Sequence, residues 1–147
     1  MIIHVTAEML PAMVPLARDF HAASGAPGTL SPAAWLEAWG RLLEAGDGLI
    51  LAIPDEEGNI LGGIGGIAFN DPNDGTMTIQ EAFWYVDPDS RGIGLELLDE
   101  FIAIARLKGA GRLLLSHTEK LRPRALKRLY ERKGFRPVET SYVKEIA

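Results

Sequence analysis

The chain opens on a short apolar run at 2–5 and then takes up helical periodicity. Met9, Met13, Leu16 and Phe20 recur at helical spacing, which predicts an amphipathic helix from Thr6 to about Ala23. Pro11 falls in its first turn, where proline is tolerated, whereas Pro15 falls deeper and is expected to kink it. After a Gly/Pro-rich loop at 24–28, Ser31-Pro32 starts a second helix, the serine as N-cap and the proline at the first helical position. Its apolar stripe is Trp35, Trp39, Leu42 and Leu43. The two tryptophans could wall a pocket, but an aromatic pair at i, i+4 reads first as core.

The period then shortens. Apolar runs at 49–53 and 60–69 flank a polar hairpin loop at 54–59, and a third run spans 76–86 after a turn at 70–75. The second run holds Gly62, Gly63, Gly65 and Gly66, and interior glycines of this kind mark bulges or the close approach of other atoms. A helix over 93–108 carries Leu97, Leu98, Phe101, Ile102, Ile104 and Ala105 on a wide arc and should be well buried. Gly109-Ala110-Gly111 ends it, and Leu113-Leu114-Leu115 centre a buried strand over 112–116. A basic helix follows over 123–133, closed by Gly134, and a last strand is expected over 135–145. The order β-α-α-β-β-β-α-β-α-β predicts an α+β fold: one mostly antiparallel sheet with a parallel pair, flanked by helices. No repeat or linker divides residues 1–147, so a single domain is expected.

Composition narrows the chemistry. The chain has no cysteine, which removes disulfides, a thiolate nucleophile and Cys-based zinc sites. Its three histidines (His4, His21 and His117) are too scattered to suggest a metal site. No apolar run approaches a membrane span and no basic flank marks a signal peptide, so a cytoplasmic protein is expected. A net charge of -5 argues against nucleic-acid binding. Against that acidic background, Lys120, Arg122, Arg124, Lys127, Arg128, Arg132, Lys133 and Arg136 crowd one segment. Such a run is either a solvated helix face or a local anion site.

The most informative stretch is EAFWYVDPDSRGIGLELL, residues 81–98. It places a glycine turn, Gly92-Ile93-Gly94, after a strand and before a helix. That arrangement points main-chain N–H groups and the positive end of a helix dipole at an anion. Neither a P-loop nor a dinucleotide fingerprint is present, since the third glycine of the latter would fall on Leu97. Glu81 shares strand parity with Met77, Ile79, Phe83 and Tyr85, so a regular strand would set it on an apolar face where desolvation raises its pKa. A bulge would instead change the parity and leave an ordinary edge carboxylate.

The element order, VDPDSRGIGLELL and LYERKGFRPVETSYVKEI together resemble the GCN5-related N-acetyltransferase (GNAT) superfamily. The resemblance implies that acetyl-CoA is the co-substrate, with no metal, and that the acceptor is a small-molecule or peptide amine. It places Tyr85 and Val86 on the pantetheine arm. The family's pyrophosphate loop maps onto Arg91, Gly92, Ile93, Gly94 and Leu95, with Asp89 where a Gln or Arg is usual and a loop about a residue short. It makes Tyr130, four residues before Gly134, the proton donor to the departing thiolate, and Glu81 the base that takes the amine's proton. Arg124 and Lys127 are candidates for the 3′-phosphate of the cofactor, and His117 is read as structural. The alternatives on the same scaffold are a non-catalytic CoA-binding module and a protein-interaction domain. The last strand could pair across a homodimer.

Overall fold

The structure, a computed structural model, describes residues 1–90 and 92–147. Its elements are β1 (Ile3–His4), α1 (Leu10–Ser24), α2 (Pro32–Glu44), β2 (Gly48–Pro54), β3 (Ile60–Asn70), β4 (Met77–Val86), α3 (Gly94–Leu107), β5 (Arg112–Leu114) and α4 (Pro123–Arg132). The strands form one sheet in chain order, antiparallel from β1 to β4 and parallel between β4 and β5. The mixed α+β sheet expected from the periodicity is therefore present.

The sheet is covered on both faces, and β2 shows why its run is apolar throughout. Leu49, Leu51 and Ile53 pack toward α3 with Ile64, Ile79, Leu97, Leu98 and Phe101. Ile50 and Ala52 point the other way, among Met13 and Leu16 of α1 and Trp39 of α2. Side chains alternate across a strand, so a strand buried on both sides cannot show polar alternation. Ser31 caps α2 by accepting a hydrogen bond from the Ala34 N–H, as its sequence position requires.

Two glycines of β3 let the layers close up. A Cβ on Gly63 would lie 3.0 Å from Met13 Cε of α1, and one on Gly66 would lie 2.6 Å from Phe101 Cζ of α3. The strand thus holds a helix against each of its faces at a spacing that a side chain would not permit.

Opposite this strand β4 carries an extra residue. Gly65 pairs with Phe83 but Gly66 pairs with Glu81, so Ala82 is bulged out of the ladder. Consequently Ile79 packs in the α3 layer, whereas Phe83 and Tyr85 pack in the α1–α2 layer and Trp84 and Val86 return to the α3 side. The shared parity of Ile79, Glu81, Phe83 and Tyr85 is thereby broken. Beyond the bulge the parallel ladder stops: β5 pairs with Thr78, Ile79 and Gln80 only. It is shorter than its apolar run suggests for that reason.

Two other expectations are corrected. Ala7–Met9 forms a separate 3₁₀ turn ahead of α1, whose span includes Pro15. The strand expected over 135–145 is absent; the chain beyond α4 has no regular structure. Its residues have strand chemistry, but a strand exists only by pairing, and no edge of this chain pairs with it.

The glycine contacts predict opposite signs for one kind of substitution. Gly66→Ala should lower stability by about 1–3 kcal/mol, because a methyl meets packed atoms. Gly40→Ala, in α2 with nothing within 4 Å of the added atom, should raise it by up to about 1 kcal/mol. Urea unfolding of both variants checks the pair; equal effects would remove the close-packing argument.

Candidate active site

Where β4 and β5 part, a cavity of about 580 Å³ opens between the end of β4, the start of α3 and the segment leading into α4. That volume suits a small organic ligand. Its floor is Glu81, Trp84 and Tyr130, and its rim includes Gly92, Gly94 and Leu95.

Because β5 ends at Leu114, the main chain of Ser116 is free of the sheet ladder. It is used twice. The Ser116 N–H donates to Glu81 Oε1 at 3.4 Å, a long contact, and the Tyr130 hydroxyl donates to the Ser116 carbonyl at 2.8 Å. One peptide segment therefore connects the carboxyl and the phenol.

Glu81 is 8% exposed. Burial pushes its pKa up to about 7, opposed in part by the Ser116 N–H. Burial also raises the pKa of Tyr130, and the negative charge of Glu81 adds to it, so this phenol keeps its proton at neutral pH. The bulge did alter the parity of β4, yet Glu81 is buried and not an ordinary edge carboxylate. The Tyr130 ring stacks on Trp84 at 6.4 Å and meets Phe135 at 6.0 Å.

The remaining predicted residues fall into distinct places. Tyr85 and Val86 lie on the cavity wall with Gly92, Gly94 and Leu95. Gly92 has φ +106, which its lack of a side chain permits. Ile93 precedes α3 and turns its side chain inward, toward Gly62 and the α3 core layer. No side chain caps the N-terminus of α3 among the described residues, so its first N–H groups lack that partner. Arg91 lies outside the described residues. Arg124 and Lys127 are exposed on α4 and are not part of the wall; among the described residues the Lys and Arg side chains there are those of Arg122 and Arg132. Arg122 adopts the left-handed region at φ 47. His117, read as structural, is exposed and lines the cavity.

Sequence reasoning passed over Ser116, Trp84, Arg122 and Arg132. Nothing local marks Ser116, whose role comes from its main chain. The basic run did contain both arginines, but the pitch of α4 and the left-handed turn at Arg122 before it decide which cations line the cavity. Two further polar atoms at the site, Trp84 Nε1 and Thr118 Oγ1, are buried with no hydrogen-bond partner among the described residues. Such groups call for an outside partner.

A sequence profile of the acetyltransferase (GNAT) family matches residues 13–135. The chain belongs to that family. It is thus an acyl-CoA-dependent N-acetyltransferase, and GNAT enzymes use acetyl-CoA and act on amine acceptors. Solved structures agree on the fold. A ribosomal-protein-alanine N-acetyltransferase from Brucella melitensis biovar Abortus 2308 is 22% identical with a TM-score of 0.72, the alignment covering 99% of each chain. A predicted acetyltransferase with acetyl-CoA from Clostridium acetobutylicum is 14% identical with a TM-score of 0.80, covering 99% of this chain and 95% of that one. Glucosamine-6-phosphate N-acetyltransferase from Arabidopsis thaliana is 14% identical with a TM-score of 0.74, covering 100% and 98%. No curated protein sequence matches the chain.

The buried carboxyl gives this GNAT enzyme a testable pH signature. Unfolded, Glu81 would titrate near 4.5; folded, near 7. Below both values it is protonated in either state and contributes nothing. Between them the unfolded chain releases a proton that the folded chain keeps, so its contribution falls as pH rises and the full penalty is present above 7. The shift corresponds to roughly 3 kcal/mol at most. Relative to Glu81→Gln, the wild type should therefore lose stability between pH 5 and 8 in urea melts. A constant difference across that range would contradict the burial argument.

Proposed function

We propose that the enzyme transfers acetyl directly from acetyl-CoA to a primary amine in a ternary complex, with Glu81 as base and Tyr130 as acid. The observation that carries this reading is the pairing of both groups through Ser116 in one cavity beside the start of α3. The amine nitrogen forms a bond to the thioester carbon, its proton passes to Glu81 directly or through a water, and the carbon–sulfur bond breaks. Tyr130 then gives its proton to the departing sulfur. A carboxyl titrating near 7 suits the base, because it is half-ionised where an amine must be relieved of a proton. The raised pKa keeps the phenol protonated until it is needed, and the departing thiolate, as an anion, draws that proton away from the neutral Ser116 carbonyl by a charge-assisted bond.

For the diphosphate, the reading relies on the main-chain groups of Gly92, Gly94 and Leu95 at the start of α3, with Arg91 in the same loop. The helix dipole favours an anion there. Val86 is the residue proposed to hold the developing oxyanion through its N–H. Tyr85 lies beside the pantetheine arm. Arg122 and Arg132, on the cavity wall, replace Arg124 and Lys127 as the residues proposed for the outer phosphate. The acceptor, a small-molecule or peptide amine, enters from the α1–α2 side, where Phe20 and Tyr85 border the same cavity.

A thermal-shift titration with acetyl-CoA followed by an amine panel tests the reading. Released CoA can be followed by its thiol, because the chain contributes none of its own. Stabilisation by acetyl-CoA with turnover on at least one amine supports it; no binding at any concentration would overturn it. Tyr130→Phe should lower kcat about 10²-fold with the KM for acetyl-CoA little changed. An unaltered kcat would remove the proton-donor role.

The pH profile isolates the base. As the deprotonated form is required, kcat/KM of the wild type should rise with an apparent pKa near 7 and then level. Glu81→Gln should lose that inflection along with most of the rate; an unchanged inflection would assign it to another group.

A further inference from the structure

A buried donor at the floor of the catalytic cavity is left unused by the chain. The Trp84 Nε1–H is closed off from solvent and meets no acceptor among the described residues. An indole N–H can only donate, so its bond must come from outside the protein. The ring is held where it is. It stacks on Tyr130, with 6.4 Å between centroids and 30° between planes, and it packs in the α3 layer.

The nitrogen edge of that ring lies against the start of α3. A Cβ added at Gly94 would sit 3.8 Å from Nε1 and 3.5 Å from Cζ2, both ordinary contact distances. Glycine leaves this space unfilled, so no side chain of residue 94 stands between the indole and the turn. The strand side of the turn, by contrast, has spent its donors. The Asp87 N–H goes to the Leu61 carbonyl at 2.8 Å, the Asp89 N–H to Asp87 Oδ1 at 3.0 Å and the Ser90 N–H to the Asp87 carbonyl at 2.8 Å. Residues 87, 89 and 90 therefore offer a ligand no main-chain hydrogen. An anion seated on the first N–H groups of α3 finds its next donor on β4, in a side chain.

We infer that the Trp84 indole N–H donates to a diphosphate oxygen of the cofactor, through the gap that Gly94 leaves beside it. The contact presupposes the diphosphate seat proposed above and adds to it a residue from the strand. A hydrogen bond to an ionised oxygen is of the strong kind. Because the face of the same ring carries Tyr130, the diphosphate and the phenol are located against one side chain, and seating the first registers the second.

Nitrogen-15 spectra of the indoles of Trp35, Trp39 and Trp84 test it, the Trp84 cross-peak being the one that Trp84→Phe removes. CoA should move that peak downfield, whereas pantetheine, which has no diphosphate, should leave it in place. By calorimetry Trp84→Phe, which keeps a ring against Tyr130 and deletes the N–H, should weaken CoA binding about tenfold. Gly94→Ala, whose methyl would cover Nε1 at contact distance, should weaken it as well, and the double variant should lose less than the sum of the two. A Trp84 peak that CoA leaves unmoved, one that pantetheine moves equally, or losses that add in full would overturn the inference while CoA binding itself stood. A chain that binds no CoA would remove the diphosphate seat and this contact together.

Discussion

The site rests on one extra residue. Had β4 continued without Ala82, its parity would have run unbroken and β5 could have followed it further. The bulge instead parts the two parallel strands and frees the main chain of Ser116. That peptide then holds Glu81 through its N–H and Tyr130 through its carbonyl. Burial of the carboxyl, its raised pKa and the fixed position of the phenol all follow from the same break in the ladder.

Packing around the bulge keeps it in place. The α1–α2 layer grips Phe83 with Phe20, Trp35 and Trp39, ring centroids lying 5.6 to 6.4 Å away. The α3 layer holds Ile79, Trp84 and Val86. Residues on either side of Ala82 are therefore anchored to opposite layers, and the bulge cannot slide along the strand without unseating one of them. Electrostatics at the cavity are arranged to match: a dipole end and two arginines on one side, a carboxyl held near its titration point on the other.

Much of this could be read from the sequence. Helical spacing found α1, α2, α3 and α4, and the apolar runs found β2, β3 and β4 nearly to their ends. The serine before Pro32 located a cap, and the glycines of β3 announced close approach. Three things were hidden. The bulge was foreseen only as an alternative, because Glu81, Phe83 and Tyr85 keep a regular spacing that a single inserted residue overrides. The strand after α4 was over-read, since alternation records a preference that only a pairing partner can satisfy. Which cations line the cavity was missed because charge density along a segment does not say where each side chain falls: Arg132 lines it from the last turn of α4 and Arg122 from the left-handed residue before that helix, whereas Arg124 and Lys127 do not.

The glycines of β3 carry a consequence for how such a protein can diverge. At Gly65 and Gly66 even a methyl would fall within 2.3 to 2.6 Å of a ring carbon. These positions are closed to drift, and the two ring partners are held almost as tightly. A lineage built on this strand can vary more freely elsewhere, in the loop between α1 and α2 and in the segment leading to α4. There the backbone is exposed and a changed side chain has somewhere to go.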